Sequence, residues 1–290
     1  MDRLLFGVDV STSAAAGADP VAAARAAEAL GFDFVSANDH PAAHDPRYET
    51  WMMLAWIAAA TSRIRVATRV LGVPYRPPAM VAKMAETFDR LSGGRLILGL
   101  GAGASDEEFR AFGLGVCSPA EKIDGLEEAV RVIRGLWTEP GFTFAGHHYR
   151  TEAAELAPRP DRPIPIWLGT FGRRGLDITG RLADGWIPSL ALAPPDQAVV
   201  MRDRILSAAR VAGRDPREIT CAYNLEIRVD DAPSRDPAVV AGPPDAVAER
   251  LLGFVRLGFT AMNFHLVGPG TQEQLERLAG EVLPAIRAGV

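Results

Sequence analysis

The run "SGGRLILGLGAGASDEEF" (92–109) leads an apolar stretch into three glycines at a spacing of two, Gly99, Gly101 and Gly103, and then into acids. Missing side chains at a strand end let backbone N–H groups reach a dinucleotide phosphate, and they serve equally for a tight turn and close packing. Behind them Ser105 and Glu108 have the spacing of a capping box, and Asp106 and Glu107 add negative charge. That helix start is therefore satisfied by its own residues and repels an anion on its axis. A second glycine loop, "GTFGRRG" (169–175), sets Gly169, Thr170 and Gly172 before Arg173 and Arg174, whose charge either grips a phosphate or forms a solvated basic surface. His40, in "NDH", suits proton exchange near neutral pH, with Asp39 beside it to orient it or to cap a loop. Arg76 is a weaker candidate for an anion. His147 and His148 read as surface residues, and His265 as either pocket lining or packing. No Ser/His/Asp signature, HExxH or two-carboxylate motif stands out, which weighs against hydrolysis.

These residues sit at the ends of strands. Short β-rich runs fall at 4–10, 32–38, 63–70, 95–101, 164–170, 185–189, 220–229 and 261–267, separated by helical patterns with clear ends. Asp19 and Pro20 open a helix that closes at Gly31. Ser118, Pro119 and Glu121 form a capping box ahead of a core-facing stripe of Ile123, Leu126, Val130, Ile133 and Trp137. Thr271 and Gln274 start the last helix, with Leu275, Leu278, Val282 and Ile286 facing inward. Eight strand–helix alternations predict an α/β fold, a (β/α)8 TIM barrel forming one domain over 1–290. Its insertion between strands 4 and 5, residues 114–163, contains a small hairpin and is expected to cover the barrel mouth as a partial lid. The Pro- and Asp-rich stretch 230–245 reads as a loop without periodicity, and Trp51, Met52, Met53 and Trp56 as an apolar helix cluster that packs in the core.

Composition narrows the classes further. The net charge of −5 supplies no basic field, so no nucleic-acid partner is expected. Cys117 and Cys221 are far apart with no CxxC pair, which argues against a disulfide framework or a zinc site and fits a reducing cytoplasm. Met1–Val10 lacks the pattern of an export signal, and Trp51–Ala60 is too short to span a bilayer. The expectation is a cytoplasmic protein with no membrane association.

Three blocks, "SGGRLILGLGAGASDEEFRAFGL", "PIPIWLGTFGRRGLDITGRLADGWIP" and "GPPDAVAERLLGFVRLGFTAMNFHL", resemble in order the luciferase-like superfamily of flavin and deazaflavin barrels. The "NDH" motif and the fourth strand are most similar to its branch that uses the deazaflavin coenzyme F420. The resemblance implies a ring lying across the barrel mouth and a phosphate near the loops after strands 4 and 5. Cofactor contacts are then expected from Gly101, Ala102, Gly103, Gly169, Thr170, Gly172 and Arg173. It also implies that "ATRV" (67–70) holds a non-proline cis peptide at Arg69 and Val70 behind the ring, with Thr68 beside it. His40, with Asp39, is the expected catalytic group.

One departure narrows the chemistry. Sugar-phosphate dehydrogenases of that branch carry a glutamate where Ala104 stands here and a tryptophan where His44 stands, which sets sugar-phosphate oxidation in doubt. Glu226 or Asp9 could supply an acid. The resulting expectation is an oxidoreductase moving a hydride between F420 and a small organic substrate. An FMN-dependent monooxygenase and a non-catalytic coenzyme-binding barrel are the alternatives. Members of the superfamily often dimerise, so a homodimer is possible.

Overall fold

The computed structural model describes residues 4–41, 45–232 and 235–289. Runs rich in Val, Ile and Leu form strands buried on both faces, as parallel strands under helices must be. They are β1 (Leu5–Asp9), β2 (Phe34–Ala37), β3 (Arg65–Thr68), β4 (Leu96–Gly101), β5 (Ile166–Leu168), β6 (Gly185–Trp186), β7 (Thr220–Val229) and β8 (Ala261–Leu266). Each lies within one of the eight runs expected from the sequence. Neighbours pair in parallel from Val8 with Val35 around to Ala222 with Ala261, and Ala261 with Leu5 closes the circle. The TIM barrel is thus observed.

The barrel is filled rather than hollow. Phe34, Ala67, Ile97, Trp167, Ile187, Ala222 and Ala261 pack together inside it, with Phe34 edge-on to Trp167 at 5.7 Å. Small residues give these rings room: a Cβ at Gly7 would lie 2.1 Å from the Phe34 ring and one at Gly185 2.4 Å from Trp167. Interdigitation of large and small side chains leaves the strand C-termini as the place where a ligand can sit.

The helices supply the outer layer. The first, α1 (Pro20–Ala29), is capped by Asp19 and ends before Gly31 at φ +83°. Two more, α2 (Thr50–Ala60) and α3 (Pro78–Ser92), follow β2 and β3. The short α4 (Asp106–Ala111) leads into α5 (Pro119–Thr138), whose Ser118–Glu121 capping box is complete. Leu126, Val130, Ile133 and Trp137 of its stripe are buried. After β5 comes α6 (Arg173–Leu182).

Several expectations need correction. On α2, Trp51 and Met53 are in the core, whereas Met52 and Trp56 are exposed. The hairpin forms between Phe142–Ala145 and Arg150–Ala154 and packs against α5. Phe142 fills the space left by Gly135, and the Glu128 carboxylate accepts the amides of His147, His148 and Tyr149. The stretch 230–245 contains a short strand, Val239–Gly242, paired with the end of β7. The last helix has Gly270, not Thr271, at its N-cap, because the Gln274 amide donates to the Val267 and Pro269 carbonyls instead.

Candidate active site

A cavity of 380 Å³ opens at the C-terminal ends of β2 to β7, within the range of about 300–1,000 Å³ usual for small-molecule sites. Each strand contributes the residues just beyond or near its end. Asp39 and His40 follow β2, Arg69 and Val70 follow β3, Gly101 to Ala104 end and follow β4, and Gly169 to Gly172 follow β5. Ile187 and Ser189 follow β6, and Asn224 lies within β7. Of the residues expected at the cofactor, Thr68 and Arg173 do not line the cavity. From the segment 114–163 only Ile123 does, a residue the sequence placed in the core stripe.

The glycines after β4 answer to the protein's own chain. A Cβ at Gly99 would stand 1.9 Å from the Thr68 carbonyl oxygen, and one at Gly101 would stand 2.6 Å from Val70. Gly169 faces the same valine at 3.3 Å. Val70, joined to Arg69 by the expected cis peptide, therefore projects at the back of the cavity from a nest of three glycines. Thr68 secures this region from beneath: its hydroxyl donates to the Gly99 carbonyl and accepts from the Gly99 amide, both at 2.8 Å. Gly103 has φ +89° and lies against Phe109, so backbone conformation and packing both require it.

Gly172 is different. Its φ of −77° suits any residue, and an added Cβ would meet nothing within 4 Å. It occupies the N-cap of α6 without a side chain to bond the helix, and the first intrahelical bond runs from the Leu176 amide to the Gly172 carbonyl. The amides of residues 173–175 are left without a capping side chain, giving this terminus a positive potential at the cavity. Arg173 and Arg174 are exposed beside it, and Arg174 pairs with Asp124.

His40 Nδ1 lies 3.0 Å from Glu108 Oε1. The other carboxylate oxygen of Glu108 accepts from the Tyr75 hydroxyl. The α4 capping box is thus only half made: Ser105 accepts the Glu108 amide, but the Glu108 side chain turns to His40 instead of back to Ser105. A carboxylate in contact with Nδ1 favours the tautomer with the proton on that nitrogen and leaves Nε2 outside this contact. Burial, with the Glu108 carboxylate second, pushes the Tyr75 phenol well above its usual range, so it remains a donor.

Asp39 does not serve His40. Its buried carboxylate takes a bidentate ion pair from Arg76, at 2.7 and 3.0 Å, and the Gly72 amide. Arg76, which also pairs with Glu49, is accounted for as well. Arg69 is held by Asp9 at 2.8 and 3.1 Å, and the second oxygen of Asp9 meets His265 Nδ1 at 2.9 Å. Burial pushes the Asp9 carboxyl up, but Arg69 and His265 outweigh it and hold the group below its usual value. The hydrogen bond to Asp9 raises His265 in turn. His265 lines a separate small cavity with Ser11 and Gln272, while Glu226 is exposed. His44 lies outside the described residues.

Sequence reasoning placed Ser189 at a strand end but missed Glu108, Tyr75 and Asn224 as site residues. Glu108 carried a signal that was read as capping. Asn224 donates to Ser189 and accepts from Asn263, which accepts from Ser36, forming a neutral hydrogen-bonded line across the floor of the barrel.

The chain matches the family described as luciferase-like monooxygenase over residues 4–235. It is 28% identical over 330 residues to the F420-dependent glucose-6-phosphate dehydrogenase of Nakamurella multipartita, covering 98% of this chain and 96% of that one. It is 36% identical over 204 residues to the F420-dependent hydroxymycolic acid dehydrogenase of Mycobacterium tuberculosis, covering 68% of this chain and 55% of that one. An F420-dependent secondary alcohol dehydrogenase, solved with an F420-acetone adduct, shares its fold with a TM-score of 0.88 at 22% identity, over 98% and 99% of the two chains. With the family match spanning most of the sequence and the barrel closing as that match requires, the chain belongs to the luciferase-like monooxygenase family.

Proposed function

We propose that this protein is an oxidoreductase that moves a hydride between the deazaflavin coenzyme F420 and a small organic substrate. The observation that carries this reading is the pairing of His40 with Glu108 at a cavity whose opposite helix terminus, at Gly172, is uncapped and open. Full-length relatives that bear the name F420-dependent support the choice of coenzyme. F420, when bound, supplies a ring carbon able to accept or donate a hydride.

The residues present fit such a group. Val70 offers an apolar surface at the back of the cavity, with Gly101, Ala102 and Gly103 along one side and Gly169, Thr170 and Gly172 along the other. The free amides at the start of α6 suit a phosphate, and Arg173 adds positive charge from the first residue of that helix. His40 Nε2 takes a proton from a substrate hydroxyl in oxidation and returns one to a carbonyl in reduction. Glu108 stabilises the imidazolium formed, and Tyr75 holds Glu108 in place. Asp39, set aside as a catalytic group by its contacts, positions the loop after β2 through Arg76.

We read the molecule as one barrel over 1–290, working in the cytoplasm with its cysteines reduced. We also propose a homodimer, for which the exposed Met52 and Trp56 on α2 offer an apolar surface. Separate fluorescence titrations with F420 and with FMN test the coenzyme assignment. Preference for F420, with turnover that consumes no oxygen, is the expected result. Preference for FMN with oxygen uptake would move the activity to the monooxygenases, and binding without turnover of any alcohol or carbonyl substrate would leave a coenzyme carrier.

A further inference from the structure

We infer that the substrate is an uncharged alcohol or carbonyl compound with apolar substituents, and that this site does not accept a phosphorylated sugar. The inference rests on the F420 reading above and concerns what the remaining cavity can bind.

A phosphate ester brings close to two negative charges, and taking them out of water is unfavourable unless free cations or amides receive them. Among the described lining residues, the charged groups besides His40 are Asp39 and Arg69. Arg76 neutralises Asp39 in a bidentate pair, and Asp9 neutralises Arg69. Lys83 and Lys122 are the chain's lysines; each is bound to a carboxylate, Glu86 and Asp106 respectively, and neither lines the cavity. The one strongly positive feature of the lining is the open start of α6, which the coenzyme phosphate already claims.

The opposite rim is unfavourable to an anion. Asp106, Glu107 and Glu108 form the first turn of α4, and Glu108 touches His40 itself. A dianion brought to His40 Nε2 would face the Glu108 carboxylate, in an acidic turn that Lys122 offsets only at Asp106. The walls instead present Val70, Ala102, Ala104, Ile123, Phe171, Ile187 and the exposed Leu192 at the rim. Ser189 and Asn224 supply neutral hydrogen-bonding groups, enough to orient a hydroxyl or carbonyl but not to balance two charges.

The test separates the substrate inference from the coenzyme reading by measuring binding as well as turnover. The purified chain is first titrated with F420. Isothermal titration then follows cyclohexanol and glucose 6-phosphate, each with the F420-loaded chain and with the coenzyme-free chain, and F420 absorbance follows turnover of both. The expected result is binding and oxidation of cyclohexanol, with kcat/KM for glucose 6-phosphate lower by about a hundredfold or more and no saturable glucose 6-phosphate binding to the loaded chain. A Leu192→Lys variant, which puts one free cation at the rim, should gain measurable affinity for glucose 6-phosphate and lose none for F420. Saturable binding or turnover of glucose 6-phosphate by the loaded wild-type chain would overturn the inference and leave the F420 reading intact. So would failure of the loaded chain to bind cyclohexanol. Failure to bind F420 would remove the reading on which the substrate assignment stands and overturn both.

Discussion

Two helices begin at the cavity, and their first turns are finished in opposite ways. At α4, Ser105 caps the Glu108 amide, three acids fill the first turn, and each preceding glycine is required by Thr68, Val70 or Phe109. At α6, the N-cap is Gly172, which packing and φ leave free to be any residue, and no side chain bonds the exposed amides. The glycine-rich loop that looks more like a phosphate cradle in sequence is thus the one filled by the protein itself. Its helix delivers a carboxylate to His40, whereas α6 presents uncapped amides, so on the proposed reading α4 serves the proton and α6 the coenzyme phosphate. A row of glycines tells little about a ligand until the atoms filling the missing side chains are known.

The largest expected effect breaks the α4 side. Gly99→Ala sets a methyl against the backbone carbonyl of Thr68 in the middle of the barrel, where a yielding side chain is not available. We expect loss of several kcal/mol and little soluble protein, read by expression yield and thermal melting. Gly172→Ala, with open space around it, should melt within about 2 °C of wild type by the same assay. Equal damage at both positions would erase the distinction between the loops.

Next in size are the proton-handling residues. His40→Ala should lower kcat by about 10²- to 10⁴-fold while F420 affinity changes by less than about threefold. Glu108→Gln keeps a hydrogen-bonding group and removes the charge, so a smaller fall in kcat, about tenfold, with unchanged coenzyme affinity is expected from steady-state kinetics and titration. If Glu108→Gln instead weakened F420 binding and spared kcat, Glu108 would belong to the anion side.

Much of this architecture is legible in sequence. The eight strands are, because parallel strands buried on both faces read as unbroken apolar runs, and the caps at Asp19 and Ser118 are, because their hydrogen bonds are local. The cis peptide at Arg69 and Val70 came only with the family resemblance. The His40–Glu108 bond spans 68 residues, and no local pattern announces it. Glu108 even carried a competing local explanation, since three residues from Ser105 is the spacing of a capping box. Asp39 misled for the mirror reason: adjacency in sequence suggested a partner for His40, while the fold brought Arg76 to it from 37 residues away. Gln274 behaved likewise, leaving the helix start for carbonyls at the end of β8.

A smaller effect tests the polar anchor beneath Arg69. His265 has a raised pKa in the folded chain, so its pair with Asp9 contributes fully below about pH 6.5 and is lost as pH rises through the raised value. Asp9 is lowered, so its contribution holds above about pH 3.9 and fades only in stronger acid. Arg69 and Glu226 also face His265 and act on it in opposite directions. Wild type should therefore exceed a His265→Gln variant most clearly near pH 5.5, by about 1 kcal/mol or less for so exposed a ring, and the gap should shrink by pH 9 in urea denaturation. A gap that grows toward alkaline pH would contradict the pairing. Of similar size is Ser105→Ala, which removes one cap and should cost about 1 kcal/mol of stability without altering F420 affinity.

The most direct test places the same charge at the two helix starts. Fluorescence titration of F420 against wild type, Gly172→Asp and Ser105→Asp compares an added carboxylate at the N-cap of α6 with one at the N-cap of α4. Both are good capping residues, so the folds should persist. If the coenzyme phosphate rests on α6, Gly172→Asp weakens F420 binding about tenfold or more and Ser105→Asp changes it less than about twofold. The reverse order would place the anion on the glycine loop after β4 and contradict the account.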